Sequence, residues 1–329
     1  MFLKSVRVAV AAALAVCASF ADAALSPDVY PQRPIRLIVG FTPGGATDLV
    51  GRLVAEKLSE RFGQQVVVDN RPGASGIIAA RLVGSAQPDG HTLLVSGSSI
   101  SIVGSLYTQA NFDVQRDLEP VAIVATTPYV MVTHPSIAVR TVAELVAYAT
   151  PRAGKISYGA STPGTVQHLS TEMFKRLAGI DMLFVPYKGT GAMLPDLLGG
   201  RIQVAMDNIL VLVPHIKSGA VTAVAVSTIK RSPILPNVPA LAESGIAALN
   251  GFDTGGWFSM YTTLKTPPGI VRKLNSEILA LLERTDARDR LLTFGATPLS
   301  GTPDDLRRQL AREVPRWRKV IQDADIKVE

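Results

Sequence analysis

The sequence predicts an α/β protein of two lobes, each built on a largely parallel sheet. Three observations carry this. Short apolar runs rich in β-branched residues alternate with glycine-containing turns and helix-period segments. That alternation stops near Val121 and restarts near Lys155. Two long strand-like runs, Val121 to Val132 and Phe252 to Thr263, separate the series and suit crossings between lobes. A chain of 329 residues also exceeds what one hydrophobic core comfortably holds. Its 47% hydrophobic and 18% charged residues can fill two cores and are not a disordered composition.

The elements follow in order. Lys4 and Arg7 precede an apolar stretch from Val8 to Phe20, and Ala21-Asp22-Ala23 offers small residues where a signal peptidase reads. This predicts an export signal over residues 1–23, cleaved near Ala23. The apolar run is short for a membrane span. Cys17, the lone cysteine, lies inside it, so the exported chain has neither a disulfide nor a thiol nucleophile. A lipid-bearing Cys17 is the alternative, weakened by bulky Val16 just before it. Pro34 to Val39 reads as a buried parallel strand, followed by the turn Gly40 to Asp48 and a helix carrying Leu49, Val50, Leu53, Val54, Leu58 and Phe62. Gln65 to Val68 is a strand, Asp69 to Gly76 a second glycine turn, and Ile77 to Val83 a helix. Thr92 to Val95 is a strand ending in the loop Ser96-Gly97-Ser98-Ser99.

After the first crossing, which contains Pro128, Lys155 to Gly159 is a strand, Ala160 to Thr165 a turn, and Val166 to Leu177 a helix. Met182 to Val185 is a strand, Pro186 to Gly191 a turn, and Ala192 to Leu198 a helix. Strand Ile202 to Met206 ends at Asp207-Asn208, and strand Val221 to Val226 closes the series. Two or three helices finish the chain, Ile270 to Glu283 and Pro303 to Asp323 among them, the last bent at Pro315.

Composition and motifs exclude several chemistries. The net charge of +6 is scattered, without the basic stripe a nucleic acid needs. Gly40 and Gly45 have P-loop spacing, but Ala46 stands where its lysine belongs. No strand is followed by G-x-G-x-x-G, so a dinucleotide cofactor is not expected. Gly159-Ala160-Ser161-Thr162-Pro163 departs from a nucleophile elbow at its last position. His91, His134, His168 and His215 lack metal-ligand spacing. The chain is therefore read as a non-enzyme with no cofactor and no metal.

What remains is a glycine-rich strand-to-helix turn, repeated in both lobes. Glycine lets backbone approach a ligand, and the helix that follows aims free N–H groups and its positive dipole end at the same spot. Two facing lobes would make a cleft for a small anion at the carboxyl ends of the strands. The first lobe offers Thr42, Pro43, Gly44, Gly45, Ala46 and Thr47, then Gly73, Ala74 and Ser75, and Ser98. The second offers Ser161, Thr162, Gly164, Thr165 and Gly189. Asp48 either complements its helix dipole or meets a ligand amine or water. His168 is a packed residue or a ligand contact. Lys188 is a solvated charge or a partner for a second anionic group. Asp207 pairs with a turn N–H or faces the cleft.

Here a resemblance becomes specific. Gly40-Phe41-Thr42-Pro43-Gly44-Gly45-Ala46-Thr47-Asp48 resembles the first-loop signature of the Bug-type (TctC-like) extracytoplasmic solute-binding receptors of tripartite tricarboxylate transporters. Asn70 to Gly76 is similar to that family's second loop, and Tyr158 to Thr165 with His168 to its second-lobe ligand loop. Pro186-Tyr187-Lys188-Gly189 and Leu235-Pro236-Asn237-Val238-Pro239 are similar to further segments. The resemblance runs from about Tyr30 to the C-terminus. It implies a type II periplasmic-binding-protein fold with a hinge and a ligand cleft. The expected division is 24–127 with 252–329 as lobe 1, and 128–251 as lobe 2. It further implies a periplasmic, monomeric receptor that closes on a small carboxylate and hands it to membrane permease subunits. Mono-, di- and tricarboxylates, amino acids and aromatic acids all fit such a site. Two other readings stay open: a sensing module for a membrane signalling partner, and an exported hydrolase using Ser161, His168 and Asp207.

Overall fold

The computed structural model describes residues 29–323. The expected leader with Cys17 and its cleavage position at Ala23 lies outside the described residues. In the first half, β1 (Ile35–Val39) is buried apart from half-buried Arg36, as a central parallel strand must be. Helix α1 (Ala46–Phe62) leads to β2 (Val66–Asn70), and α2 (Ile77–Gly84) leads to β3 (Thr92–Gly97). Both strands lie parallel to β1, one on each side. Helix α3 (Ile100–Leu106) and the one-turn α4 (Val114–Asp117) then bring the chain to β4 (Leu118–Thr133).

β4 is the element that makes two halves one molecule. At 16 residues it is roughly three times the usual strand length and spans about 50 Å. Its first part pairs antiparallel with β9 (Gly255–Thr263) and β10 (Thr297–Gly301), and its last five residues pair with β7 (Val204–Asn208). β8 (Thr222–Val226) adds to the same end. The change of partners falls at Pro128, which aligns with Gly255, while Tyr129 aligns with Asn208. Pro128 has no N–H to give a ladder, so the break costs no hydrogen bond.

The second half repeats the first. Helix α5 (Val142–Ala149) precedes β5 (Ser157–Ala160), α6 (Val166–Ala178) leads to β6 (Leu183–Pro186), α7 (Thr190–Leu198) to β7, and α8 (Ile209–Lys217) to β8. β5 lies parallel between β6 and β7. Helices α9 (Pro268–Glu283), α10 (Thr285–Phe294) and α11 (Pro303–Asp323) finish the described chain, and α11 continues across Pro315. The strand order is β2-β1-β3-β9-β4-β7-β5-β6.

Period-2 alternation sends successive strand residues to opposite cores. Leu37 and Val39 join Val50, Leu58, Leu274 and Ile278 on one face, while Ile38 joins Ile77, Val103 and Leu306 on the other. Likewise Met206 packs with Leu169 and Phe174, and Ala205 with Met193 and Leu212. Each half is thus a sheet between helices. Helix α11 serves both, with Leu306 and Leu310 in a first-half core and Trp317 and Ile321 in a second-half core.

Several edges differ from the sequence expectation. Asp69–Asn70 and Ser96–Gly97, read as loop, extend β2 and β3 because neighbouring strands supply partners. Ala160 belongs to β5, and Thr190–Gly191 open α7. Ile202 and Gln203 precede β7. The helices α3, α5 and α8 and strand β10 were not expected. Helix α8 (ILVLVPHIK) has five buried apolar residues in succession and an internal Pro214, so no polar face marks its period.

Candidate functional site

The carboxyl ends of β1, β3, β5, β6 and β7 all point at one place, and the helices that follow begin there. Gly45, Ala46 and Thr47 at the start of α1, Ser98 and Ser99 before α3, Ser161, Gln167 in the first turn of α6, Thr190 opening α7, and Asn208 before α8 line one cavity. Phe41, Gly97, Tyr129, Gly256, Trp257 and Phe258 complete it. The cavity measures ≈ 30 Å³, room for about two waters. None of its lining residues carries a charge. Four of the converging helices are nine residues or longer, and each brings about half a positive charge at its N-terminus. These helix ends favour an anion there without any cation in the lining.

The lobes meet over this cavity. Thr42 and Pro43 sit against Gly189 and Gly191 of the opposite half, so close that a Cβ on Gly191 would lie 2.2 Å from the Pro43 carbonyl oxygen. Ser75 donates to the Pro163 carbonyl and stands 3.1 Å from the Tyr107 hydroxyl. Ser99 Oγ accepts from the Val166 N–H at 3.3 Å. The cleft is closed in this structure.

Of the residues singled out in the sequence, Gly45, Ala46, Thr47, Ser98 and Ser161 line the cavity. Thr42, Pro43 and Gly189 form the closing contact above it. Gly44 is held at φ +81° and donates its N–H to Asp48 Oδ2 at 2.9 Å. Asp48 also accepts from Arg52 and from Asn70, which in turn donates to the Phe41 carbonyl. Burial works to raise the Asp48 pKa, but these hydrogen bonds hold it below the ordinary carboxylate value. Asp48 braces the first loop. Gly73, Ala74 and Ser75 form the second loop, where Ala74 and Ser75 both take positive φ and Ser75 touches Pro163.

In the second half, Thr165 Oγ1 caps α6 through the His168 N–H and donates to the Thr162 carbonyl. Thr162 Oγ1 donates to the Ser161 carbonyl, and Ser161 Oγ to Thr165 Oγ1 at 3.3 Å. His168 Nδ1 accepts the Gly164 N–H at 3.0 Å, which puts its proton on Nε2, and its ring stacks on Phe184. Burial pushes its pKa down to about 4. Asp207 is fully buried behind the cavity and accepts from Asn208 N–H at 2.6 Å, Thr190 Oγ1 at 2.8 Å and Gln167 Nε2 at 3.4 Å. Burial raises its pKa against those hydrogen bonds. Lys188 is exposed and lies outside the cavity lining. Ser161, His168 and Asp207 thus turn to different partners rather than to one another.

The sequence reasoning missed Tyr129, Gln167, Thr190, Asn208 and Trp257. Trp257 Nε1, Gln167 Oε1 and Thr42 Oγ1 are buried polar atoms without a protein partner. Tyr129 stands 3.0 Å from Ser98 Oγ, and Gly256 leaves room for its hydroxyl, which a Cβ there would approach to 2.6 Å. Among the described residues no group of acidic, histidine or cysteine side chains is arranged to hold a metal ion.

A family model described as Tripartite tricarboxylate transporter family receptor matches residues 50–326. Protein BugT of Bordetella pertussis is 37% identical over 308 residues, covering 93% of this chain and 94% of that protein. The structure of Rpa4515 from R. palustris with adipate has a TM-score of 0.87 at 38% identity, covering 91% of this chain and 99% of that one. Periplasmic binding protein BugD matches with a TM-score of 0.87 at 33% identity, covering 91% and 100%. MatC (Rpa3494) from Rhodopseudomonas palustris with bound malate matches with a TM-score of 0.83 at 30% identity, covering 89% and 100%. The architecture is the type II periplasmic-binding-protein fold, two α/β lobes with a ligand cleft between them.

Proposed function

This chain belongs to the tripartite tricarboxylate transporter receptor family, and we propose that it is a periplasmic receptor that captures a small carboxylate by hinged closure and delivers it to membrane permease subunits. One observation carries the reading. Four helix N-termini converge on a cavity with no charged side chain, between loops from both halves. A carboxylate entering it exchanges water for fixed N–H donors and hydroxyls. Such charge-assisted hydrogen bonds are worth about 1.5–3 kcal/mol each. Closure follows because only the closed form lets both lobes contact one ligand.

Adipate in Rpa4515 and malate in MatC support a small aliphatic carboxylate as the class. The receptor acts as a monomer and works after removal of a leader near Ala23. The moving bodies are 24–127 with 252–329, and 128–251. The first contributes backbone N–H groups and hydroxyls from Gly45 to Thr47 and from Ser98. The second contributes Ser161, with Thr162 to Thr165 shaping the loop. The ligand leaves chemically unaltered.

A thermal-shift screen of the purified protein across carboxylates tests this. An acid at about 100 times its dissociation constant raises stability by roughly 2.7 kcal/mol. Mass spectrometry should then recover that acid unchanged after long incubation. A screen in which no carboxylate moves the transition, or one in which the acid is consumed, would remove the proposal.

A further inference from the structure

The two halves also grip each other beside the cavity, through one peptide bond. The Pro163 carbonyl accepts from Ser75 Oγ and from the Tyr107 hydroxyl at 3.3 Å, and both donors belong to the first half. The N–H of the same peptide, on Gly164, donates to His168 Nδ1 at 3.0 Å. A trans peptide is planar, with its C=O and N–H pointing opposite ways, so what holds one end aims the other. None of these five residues lines the cavity.

This peptide has a second position open to it. Thr162-Pro163-Gly164-Thr165 is a turn closed by the Thr165 N–H on the Thr162 carbonyl at 3.2 Å, with Gly164 at φ +74°. Proline second and glycine third, with positive φ at the third residue, make it type II. Type I differs by a half-turn of the central peptide, and proline and glycine both accept it. Flipped, the peptide shows Ser75 and Tyr107 an N–H, which serves one acceptor, in place of a carbonyl that takes both hydroxyls. At least one bond between the halves is then lost. His168 chooses between the two positions. A neutral ring offers Nδ1 to the Gly164 N–H and holds type II, whereas a ring protonated at Nδ1 only donates and favours the carbonyl on its side.

We propose that the Pro163–Gly164 peptide is a two-position latch on closure, and that His168 is the positioning residue that sets it, holding the cleft shut on the acid while its ring is neutral and loosening the grip when it takes a second proton. The inference rests on the carboxylate-receptor reading above and adds how the closed cleft is held and released. The charges around the ring are engaged elsewhere. On its own helix, Glu172 accepts the Tyr158 hydroxyl from β5 and pairs with Lys175 at 2.9 Å, and Lys175 also meets Asp181 at 3.8 Å. Strand β6 presents Phe184, stacked on the ring at 4.2 Å, and no charge. Asp207 on β7 is turned to Asn208, Thr190 and Gln167.

Isothermal titration of succinate, L-malate and adipate at pH 7 and pH 4.5 tests it, with His168→Gln as the reference. The glutamine oxygen accepts the Gly164 N–H but does not titrate, so comparing the two proteins cancels the acid's own protonation. At pH 7, His168→Gln should bind within about threefold of the parent. His168→Phe keeps a ring against Phe184 but offers no acceptor, and should bind about three- to tenfold more weakly, the range of one hydrogen bond. Burial holds the His168 pKa at about 4 in the closed structure, and release of the Gly164 N–H lets the ring protonate sooner. At pH 4.5 the parent should therefore lose at least about threefold in affinity relative to His168→Gln. Ser75→Ala with Tyr107→Phe strips both donors from the Pro163 carbonyl. It should weaken binding at pH 7 by about threefold or more, and adding His168→Gln to it should no longer change the pH dependence. A merely structural His168 would leave that dependence in place. Parent and His168→Gln proteins that lose affinity in parallel overturn the inference and leave the receptor reading standing. So does a Ser75→Ala/Tyr107→Phe protein with parental affinity, which decides the question even where a His168 variant does not fold. If none of the three acids binds the folded parent at pH 7, the small-carboxylate reading fails and this inference with it.

Discussion

At Gly191 the two sides of the cleft meet backbone to backbone, and replacing it by alanine separates folding from closure. Gly191 is the second residue of α7 and its φ is not in the left-handed region. Alanine therefore fits its backbone, and inside a helix alanine is better than glycine by about 1 kcal/mol. The added methyl would lie 2.2 Å from the Pro43 carbonyl oxygen and 3.2 Å from Thr42 Oγ1, whereas real Cβ contacts essentially never fall under 3.0 Å. The obstacle is backbone, so the first loop must retreat by at least about 0.8 Å. A hydrogen bond of about 2.9 Å stretched by that amount is lost. One charge-assisted bond lost from the closed form costs about 1.5–3 kcal/mol, or roughly tenfold to a hundredfold in Kd. Isothermal titration with the best acid from the screen, beside a melting curve, reads both effects. Gly191→Ala should melt at or slightly above the parent temperature and bind at least tenfold more weakly. Unchanged affinity would refute the closure argument, and so would an affinity loss that merely tracks a loss of stability.

Three further outcomes follow from the same geometry. Ser161→Ala should weaken binding by about 0.5–3 kcal/mol, the range set by whether the ligand oxygen finds another donor, and titration measures it. The chain has two tryptophans, and only Trp257 lines the cavity, while Trp317 donates to Glu313 on α11. Ligand should therefore change the fluorescence of Trp317→Phe protein and leave that of Trp257→Phe protein unchanged. His168 is held neutral, with a folded pKa of about 4 against an ordinary 6.5. The unfolded chain then binds the extra proton first, so stability is full above pH 6.5 and falls as the pH drops towards 4, by on the order of 3 kcal/mol. Urea unfolding at pH 7, 5.5 and 4 should show that slope, and His168→Gln should lack it.

The parallel strands and the helices after glycine turns were legible because each announces itself locally. A β-branched run such as Ile35–Val39 and a turn such as Gly44-Gly45 need no tertiary knowledge. Helix α8 was not legible, because a helix buried on all sides loses its polar stripe, and β10 (TPLSG) forms only because β4 offers an edge. The site divides the same way. Gly45, Ala46, Thr47, Ser98 and Ser161 lie on the turns themselves, where strand-to-helix chemistry points to them. Tyr129 and Trp257 reach the cavity from β4 and β9, and which face they take depends on register, with Tyr129 opposite Asn208. Gln167 looks like an ordinary first-turn residue until Asp207, 40 positions later, is seen holding its amide. Asp48 and His168 carry groups that suggest chemistry, but both spend them on bracing the loops.

The central claim is that helix N-termini from both lobes hold the acid, and a crystal structure with the acid that most raises the melting temperature tests it most directly. The account predicts a closed cleft with carboxylate oxygens about 2.7–3.2 Å from N–H groups at Gly45 to Thr47 or from the Ser98 and Ser161 hydroxyls. The larger groove of ≈ 460 Å³ that shares Gly256 and Trp257 with the cleft carries Lys230, Arg231 and Arg316 instead. An acid bound there, paired to those cations, would contradict the account.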